Sequence, residues 1–395
     1  MTRWPTKPLE EIAELYGGST PSRDRPAFWG GDIYWVTPTD LPMPDEGISV
    51  VSKTKDRITQ VGLDNSSASV VPKGTVLFSS RATIGKVAIA DMPLTTNQGF
   101  ANFVPHSEVT SRFLAYALWF HREDIARLSG STTFKEVSRS TLRKYHLPVP
   151  PLAEQERIVK LLDEADELRK LRAQADRRTA DLIPALFCEM FGENAKKPHV
   201  RVKLEQIAEV VSGVAKGRKF NGRLPVEVPY LRVANVQAGH LDLSEIKTIQ
   251  ALPEEVEELA LRKGDVLLTE GGDFDKLGRG AMLEQDLPNC IHQNHVFRVR
   301  VEQSKLDPVY FAKFLLTGEA RRYFLGCAKR TTNLASINMT QLRALPVLLP
   351  PLSLQREFAA RVSDIRAMQA EQAASRRRMA DLFHSMLHRA FQGEL

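Results

Sequence analysis

The sequence has few cysteines and no long apolar run, and both absences limit what the protein can be. Its 395 residues include three cysteines, Cys188, Cys290 and Cys327, which lie far apart and form no Cys-x-x-Cys pair. This usage is typical of a reducing compartment and argues against a disulfide framework or a zinc site. No apolar segment reaches the roughly 18 residues of a membrane span, and the N-terminus has no apolar signal core. We therefore predict a cytoplasmic protein with no membrane segment.

The sequence also lacks the motifs that would give it a reaction of its own. It contains no P-loop, and Gly278-Arg279-Gly280 is not followed by a third glycine at Rossmann spacing. It has no Asn-Pro-Pro-aromatic segment of the kind that amino-methyltransferases use to hold a flipped base. We predict no catalytic residue and no cofactor bound by this chain.

What the sequence does contain is a long segment that occurs twice. Pro150-Pro151-Leu152 recurs as Pro350-Pro351-Leu352, and the matching residues that follow keep an offset of 200 without a gap. Gln155 recurs as Gln355 in the same register. A period of half the chain indicates two similar halves that end in the same element, because solenoids repeat over much shorter lengths.

Each copy has the pattern of a long amphipathic helix. Apolar residues recur at steps of three, four and seven, and about forty residues at 1.5 Å rise make a rod of roughly 60 Å. Neither apolar stripe is stable in water, so we predict that the helices pack on each other as an antiparallel coiled coil; the alternative is that each packs on its own domain. Pro184 is expected to kink the first helix, and the second stripe is weakest near Gln372 and Ser375. The residues predicted to make this packing are Ile158, Leu162, Ala165, Leu168, Leu182, Phe358, Val362, Ile365, Met368 and Leu382.

The globular parts before the two helices match only at a few positions. Trp35-Val36 corresponds to Tyr230-Leu231 and Gln98 is matched with Gln293, but the offset drifts between 190 and 199. We predict an α+β fold in which two similar globular domains and two long helices form a pseudo-two-fold arrangement. The predicted segments are domain 1 at 1–147, spacer helix 1 at 148–193, domain 2 at 198–349 and spacer helix 2 at 350–395.

This order of domain, Pro-Pro-Leu helix, domain and Pro-Pro-Leu helix resembles the specificity subunit of type I restriction–modification systems. The resemblance covers essentially the whole chain. The segments that carry it are LPVPPLAEQERIVKLLDEADEL at 147–168, LPVLLPPLSLQREFAARV at 345–362, TEGGDFDKLGRG at 269–280 and CIHQNHVFRVR at 290–300. It implies a non-catalytic subunit whose two target-recognition domains each read one half of a split, asymmetric sequence in double-stranded DNA.

The resemblance also implies partners. The helices would dock two copies of an adenine methyltransferase (modification) subunit, which uses S-adenosylmethionine. A restriction subunit with motor and nuclease activities, which uses ATP and Mg, would complete the complex.

The residues expected to meet DNA are polar side chains on glycine-bearing loops between predicted strands. The formal net charge of +6 is compatible with nucleic acid without requiring it. In the first domain the candidates are Ser19, Thr20, Arg23, Arg25, Arg81, Thr83, Lys86, Asn97, Gln98, Thr132, Thr133 and Lys135. In the second they are Lys216, Arg218, Lys219, Asp273, Lys276, Arg279, Gln293, Asn294, His295, Thr331, Thr332 and Asn333.

Two groups of residues raise the question of a metal, and we predict none. His292 and His295 are three apart in a predicted strand and turn, which favours a structural or DNA-facing pair over two ligands. Glu270, Asp273 and Asp275 surround Gly271-Gly272, a composition that suits a tight loop better than a divalent cation site.

Two other functions remain possible from the sequence. The first is a non-enzymatic adaptor, with two domains on a helical stalk that bind proteins rather than DNA. The second is a fused restriction–modification enzyme, which the missing cofactor motifs and the length disfavour. A steep salt dependence of duplex binding would separate DNA recognition from the adaptor.

Overall fold

The computed structural model describes residues 4–130, 135–192, 199–272, 277–330 and 335–395. The chain forms two compact units: unit 1 contains Met1–Gln174 and Ala373–Leu395, and unit 2 contains Ala175–Gln372. Each unit therefore combines one globular part with a portion of both long helices. The segment boundaries given above stay predictions, since the compact units cut through the helices rather than between them.

The globular part of unit 1 is mixed α and β. Its elements are β1 (Thr6–Pro8), α1 (Leu9–Ile12), β2 (Ala13–Gly17), β3 (Trp29–Val36), β4 (Ile48–Val51), β5 (Asp56–Ile58), α2 (Gln60–Asp64), β6 (Val76–Ser79), β7 (Val87–Ala90), β8 (Thr95–Thr96), β9 (Phe100–Pro105), α3 (Ser111–Phe120), α4 (Arg122–Arg127), α5 (Arg139–Arg143), β10 (His146–Pro148) and α6 (Leu152–Ala180), whose last residues belong to unit 2.

The sheets of unit 1 follow from its sequence pattern. A five-stranded sheet has the order β2–β9–β6–β7–β4, a three-stranded sheet the order β5–β3–β8, and β1 pairs with β10. All four residues of β6 are buried, as expected for a short apolar strand at the centre of a sheet. Helix α3 begins where the Thr110 hydroxyl accepts a hydrogen bond from the N–H of Phe113. It covers this sheet with an almost continuous buried run, Phe113 to Trp119.

Unit 2 repeats this plan with different details. Its elements are α7 (Leu182–Phe191), β11 (Val200–Lys203), β12 (Ala208–Ser212), β13 (Val226–Leu231), β14 (Lys247–Ala251), α8 (Pro253–Leu259), β15 (Val266–Thr269), β16 (Gly271–Gly272), β17 (Gly280–Met282), β18 (Ile291–His292), β19 (Val296–Val301), α9 (Pro308–Phe314), α10 (Gly318–Cys327), β20 (Lys329–Arg330), β21 (Ala335–Ser336), α11 (Met339–Arg343), β22 (Pro346–Leu349) and α12 (Leu352–Gln392), whose last residues belong to unit 1.

The sheet orders of unit 2 are β12–β19–β15–β17, β14–β13–β18, β16–β21–β20 and β11–β22. The pairs β13–β18 and β3–β8 are both parallel, and Leu231 faces His292 where Val36 faces Thr96. The matching of Tyr230-Leu231 with Trp35-Val36 is therefore confirmed. The α+β fold with two similar globular parts and two long helices is confirmed as well.

The long helices pack antiparallel within each unit. In unit 1 the Arg157 guanidinium donates to the carbonyl oxygen of Leu395 at 2.6 Å, while Arg169 lies 4.9 Å from the ring centre of Phe383. In unit 2 the Thr179 hydroxyl donates to the Gln372 amide oxygen at 2.8 Å, while the rings of Phe191 and Phe358 are 5.4 Å apart. In both units residue numbers rise along one helix as they fall along the other.

The predicted packing residues divide into buried and exposed side chains. Ile158, Leu162, Phe358 and Val362 are buried, and Ala165 and Ile365 are half-buried. The prediction is wrong for Leu168, Leu182, Met368 and Leu382, which are exposed. Leu168 and Met368 each follow a buried residue, Leu162 and Val362, by six positions, which places them roughly 240° around the helix. The apolar residues that complete the buried face are Phe187, Phe191, Phe383, Leu387, Ala390 and Phe391.

Two weak points of the helices have structural explanations. Helix α6 ends at Ala180 and α7 begins at Leu182, so that Pro184 lies in the first turn of a new helix. One continuous helix cannot run through Pro184, because the proline ring would collide with the carbonyl of Ala180. The polar middle near Gln372 is held by hydrogen bonds: Thr179 donates to Gln372, and Gln369 donates to the Thr179 carbonyl.

Candidate nucleic-acid interface

Three loops of unit 1 meet at one edge of its sheets. The N–H of Ser19 donates to the carbonyl of Thr96, that of Ser80 to Gly99, and that of Val137 to Ser80, each at 2.9 Å. These backbone hydrogen bonds connect the loops that follow β2, β6 and β8 with the segment before α5. They use no side-chain atom, so the side chains at these positions can differ without loss of the framework.

Unit 2 has the same framework with other side chains. The N–H of Val214 donates to the carbonyl of His292, that of Glu270 to His295, and that of Ile337 to Glu270, at 3.0, 2.9 and 2.8 Å. By this correspondence Glu270 takes the place of Ser80, and His295 takes the place of Gly99. The backbone is common to the two units, while the side chains on it are not.

The framework also sets which residues are equivalent. The N–H of Asn97 donates to Val36 and that of Gln293 to Leu231, both at 2.9 Å. Gln293 is therefore the counterpart of Asn97, and the predicted matching of Gln293 with Gln98 is shifted by one residue. The Asn97 side chain is used locally, since its amide oxygen accepts from the N–H of Gly99.

Two glycines allow the first loop to approach the others. A Cβ on Gly18 would lie 2.0 Å from the carbonyl oxygen of Asn97, and one on Gly213 would lie 1.8 Å from that of His292. These distances are far inside van der Waals contact. The sequence requires glycine at both positions because two backbones touch there.

Most of the predicted DNA contacts of unit 1 lie at or near this edge. The Thr20 hydroxyl donates to the amide oxygen of Gln98, and Arg81 lies 3.6 Å from the Glu136 carboxylate. The half-buried candidates are Ser19, Thr20, Arg81, Thr83 and Asn97, and the exposed ones are Arg23, Arg25, Gln98 and Lys135. Thr132 and Thr133 lie outside the described residues.

Lys86 has a different role from the one predicted. Its side chain is 7% exposed, and its ammonium donates to the carbonyl oxygens of Pro38 at 2.7 Å and Leu41 at 2.9 Å. A buried ammonium needs such partners, because leaving its charge without hydrogen bonds would be costly. Lys86 therefore holds the 38–41 turn in place, and this corrects its prediction as a DNA contact.

The basic candidates of unit 2 differ in their surroundings. Lys216 and Lys219 are exposed. Arg218 donates to both carboxylate oxygens of Glu255, and this ion pair lowers the pKa of Glu255. Arg279 donates to the amide oxygen of Gln237 at 2.9 Å. Arg218 and Arg279 thus have partners within unit 2, and their contact with DNA stays a prediction.

The remaining candidates of unit 2 flank the loop framework. Gln293 and Asn294 are half-buried, and His295 is exposed with its Nδ1 atom 2.6 Å from a carboxylate oxygen of Glu270. The residues Asp273, Lys276, Thr331, Thr332 and Asn333 lie outside the described residues, and so does Asp275.

His292 is structural. It is fully buried, and its Nδ1 donates to the carbonyl of Val296 at 2.7 Å. Burial lowers the pKa of His292 to about 4. A buried imidazole that is held neutral in this way stabilises the loop and does not face a ligand.

The described parts of the chain show no group of three or more His, Cys, Asp or Glu residues placed to hold a metal ion. Among these same residues, no helix is both long and apolar enough to cross a membrane.

The sequence did not indicate the contacts that three further residues make. Arg57 lies 4.4 Å from the ring centre of Tyr34, and the strand register that brings them together could not be read from the sequence. Gln155 and Gln355 are fully buried. Their recurrence in the repeat was the available signal, but it did not reveal what they bind.

Two matches to a known family cover most of the sequence. The family is described as the type I restriction modification DNA specificity domain, and it matches residues 1–176 and 197–374. The chain belongs to this family, whose function is DNA recognition.

Relatives of known type agree with this assignment. The type I restriction enzyme MjaIX specificity subunit of Methanocaldococcus jannaschii is 41% identical over 190 residues, which are 48% of this chain and 43% of that relative. That match therefore spans less than half of the relative's length. The EcoKI specificity subunit of Escherichia coli is 26% identical over 348 residues, which are 80% of this chain and 73% of that protein.

Solved structures share the fold along the whole chain. A chain from a structure on complex assembly and conformational transition of the type I R-M system has a TM-score of 0.68 at 18% identity and covers 99% of this chain and 98% of its own. The HsdS subunit of Thermoanaerobacter tengcongensis has a TM-score of 0.52 at 19% identity and covers 99% and 97%. These likenesses show that the α+β architecture is common to all three proteins.

Proposed function

We propose that this chain is the non-catalytic, sequence-reading subunit of a type I restriction–modification complex. Each globular part, 1–147 and 198–349, would read one half of a bipartite, asymmetric site in double-stranded DNA. The observation that carries this proposal is the loop framework, which is built from the same backbone hydrogen bonds in both units and bears different side chains in each. A constant backbone with variable polar side chains suits the reading of two different base sequences.

The base and phosphate contacts would come from the exposed and half-buried side chains around each framework. In unit 1 they are Ser19, Thr20, Arg23, Arg25, Arg81, Thr83, Asn97, Gln98 and Lys135; in unit 2 they are Lys216, Arg218, Lys219, Arg279, Gln293, Asn294 and His295. Lysine and arginine supply attraction to phosphates, and amide and guanidinium groups read base edges in the major groove.

The helix segments 148–193 and 350–395 would dock two copies of an adenine methyltransferase subunit. The exposed apolar side chains Leu168, Leu171, Met368 and Leu382 on these helices are ones that such a partner would cover. In this proposal the chain binds no cofactor: S-adenosylmethionine serves the methyltransferase, and ATP with Mg serves a restriction subunit. The complex would act on DNA in the cytoplasm.

A domain exchange tests the two-reader arrangement. Residues 198–349 are replaced by the corresponding segment of another specificity subunit, and methylated adenines are mapped in cells that also express the methyltransferase. We expect one half of the methylated sequence to change and the other half to stay. A change in both halves would contradict the proposal.

A salt titration separates DNA recognition from the protein-adaptor alternative. Binding of the full chain to duplex DNA should weaken linearly in log Kd against log salt, because each phosphate contact releases counterions. Duplex binding that does not depend on salt, or no duplex binding at all, would favour the adaptor.

A further inference from the structure

The guanidinium of Arg23 lies over two tryptophans in unit 1. Its guanidinium carbon lies 3.7 Å from the ring centre of Trp29 and 5.1 Å from that of Trp35. The two indoles meet edge to face, with ring centres 4.9 Å apart and planes at 87°. Stacking of this kind orients a guanidinium plane and limits its rotation.

The platform under Arg23 is itself rigid. Trp35 is 2% exposed and donates from Nε1 to the Ser19 carbonyl at 3.0 Å, while Trp29 donates to the Ser22 carbonyl at 3.1 Å. Both indoles therefore hold the 19–22 loop that carries Arg23. The guanidinium is fixed from the side as well, since its Nη2 donates to Asp56 at 3.0 Å.

One edge of this guanidinium is left for a ligand. The Arg23 side chain is 56% exposed, and Asp56 is the one hydrogen-bond partner that it has among the described residues. Its other N–H groups are donors in a fixed plane. A rigid guanidinium edge with two parallel donors matches the O6 and N7 acceptors of guanine in the major groove.

Arg23 faces the same side as the loop framework. Trp35 and Asp56 are paired across β3 and β5, so both side chains project from one face of this ribbon. The loop that they hold runs through Ser19, which bonds Thr96, and through Thr20, which bonds Gln98. The bonds of Ser19 and Thr20 thus place the loop that leads to Arg23 beside the proposed DNA surface.

We propose that Arg23 is a specificity-determining residue that reads a guanine in the half-site of unit 1, with Trp29 and Asp56 as positioning residues. This inference rests on the proposed DNA recognition and adds the base and the side chain that reads it. A phosphate contact would need only the positive charge, whereas guanine recognition needs the orientation that the tryptophans and the carboxylate provide.

Arg57 is a matched control on the same ribbon. It is paired with Tyr34, one residue from the Trp35–Asp56 pair, so its side chain projects from the opposite face. It is also exposed and also stacked on an aromatic ring, at 4.4 Å. The two arginines share charge, exposure and stacking and differ in the face from which they project.

The test selects the preferred sequence of the full-length chain from a duplex library with a fully randomised core. The variants are R23A, R23K, D56N and R57A. We expect R23A to reduce the preference for guanine at one position of one half-site on the order of 10- to 100-fold, while the other half-site stays unchanged. R23K keeps the charge and should lose the same preference for guanine. D56N should weaken that preference. R57A should select the wild-type sequence.

The outcomes separate this inference from the proposed function. If wild type selects a bipartite sequence and R23A and R23K select that same sequence, Arg23 does not read a base and the inference is overturned. Equal weakening at all positions in R23A with rescue by R23K would mark a phosphate contact, which also overturns it. If wild type selects no sequence, the proposed DNA recognition itself fails.

Discussion

Gln155 and Gln355, 200 residues apart, make the same three hydrogen bonds at the start of the two long helices. Gln155 accepts from the N–H of Thr110 and donates to the carbonyls of Glu108 and Pro150. Gln355 accepts from the N–H of Asp307 and donates to the carbonyls of Lys305 and Pro350. Because Thr110 and Asp307 are the N-caps of α3 and α9, each glutamine joins a domain helix to its spacer helix.

Replacement of either glutamine by leucine should destabilise the chain strongly. Gln155→Leu leaves a buried N–H and two carbonyls without their partner, and the expected loss in the free energy of unfolding is about 3 kcal/mol, measured by urea unfolding. Gln355→Leu should cost a similar amount. Gln174, exposed on the same helix as Gln155, provides the control, and Gln174→Leu should change stability little. Equal effects of Gln155→Leu and Gln174→Leu would show that the three hydrogen bonds of Gln155 do not stabilise the chain.

Alanine at Gly18 or Gly213 should disrupt the loop framework. The added Cβ would lie 2.0 Å or 1.8 Å from a backbone oxygen, and overpacking of this kind costs about 1–3 kcal/mol. The control is Gly326 in α10, where an added Cβ meets no atom within 4 Å. Gly326→Ala should stabilise the chain by roughly 0.5–1 kcal/mol, because alanine favours the helix. Thermal unfolding distinguishes the opposite signs, and stabilisation by Gly18→Ala would show that the loops do not touch.

The repeat made the two helices predictable, but not their buried faces. A gapless recurrence that begins with Pro-Pro locates both helices, and two matching apolar stripes indicate mutual packing. The stripes contain more apolar positions than one contact face can bury. Leu162 and Leu168 are equally apolar in the sequence, and their helical phase relative to the partner decides that the first is buried and the second is 58% exposed.

The loops of the candidate site were predictable, while the direction of their side chains was not. Glycine and polar residues mark the loops wherever strands end. Lys86 and Lys135 look alike as loop lysines, yet Lys86 turns inward to the carbonyls of Pro38 and Leu41, which lie far away in sequence. Which residue of unit 1 corresponds to Gln293 likewise depends on strand register. The sequence offset between the two globular parts varies, so it does not define that register.

Unit 2 should lose stability in mild acid because of His292. Its pKa is about 4 in the fold and ordinarily 6.5, so the unfolded chain binds a proton between these values and the folded chain does not. The contribution of neutral His292 to the free energy of unfolding is fully present above pH 6.5. It falls as the pH drops toward 4, by about 3 kcal/mol in total. Urea unfolding at several pH values measures this slope.

Threonine is the matched replacement at this position, since Thr96 is the counterpart of His292 in unit 1. His292→Thr should flatten the pH dependence between pH 6.5 and 4. The exposed His240 serves as the control, and His240→Thr should leave the slope unchanged. An unchanged slope in His292→Thr would mean that other groups control the acid sensitivity.

Neutral substitution of two lysines of unit 1 should affect different properties: duplex binding for Lys135 and stability for Lys86. Lys135 is exposed beside the loop framework, and its carbonyl accepts the N–H of Ala82. If its ammonium contacts a phosphate, Lys135→Met should weaken duplex binding and reduce the slope of log Kd against log salt by about 0.9. Lys86→Met should leave that slope unchanged and lower the free energy of unfolding by about 1–3 kcal/mol, because the carbonyls of Pro38 and Leu41 lose their donor. A salt slope reduced by Lys86→Met and unaffected by Lys135→Met would reverse the roles that burial gives to these two side chains.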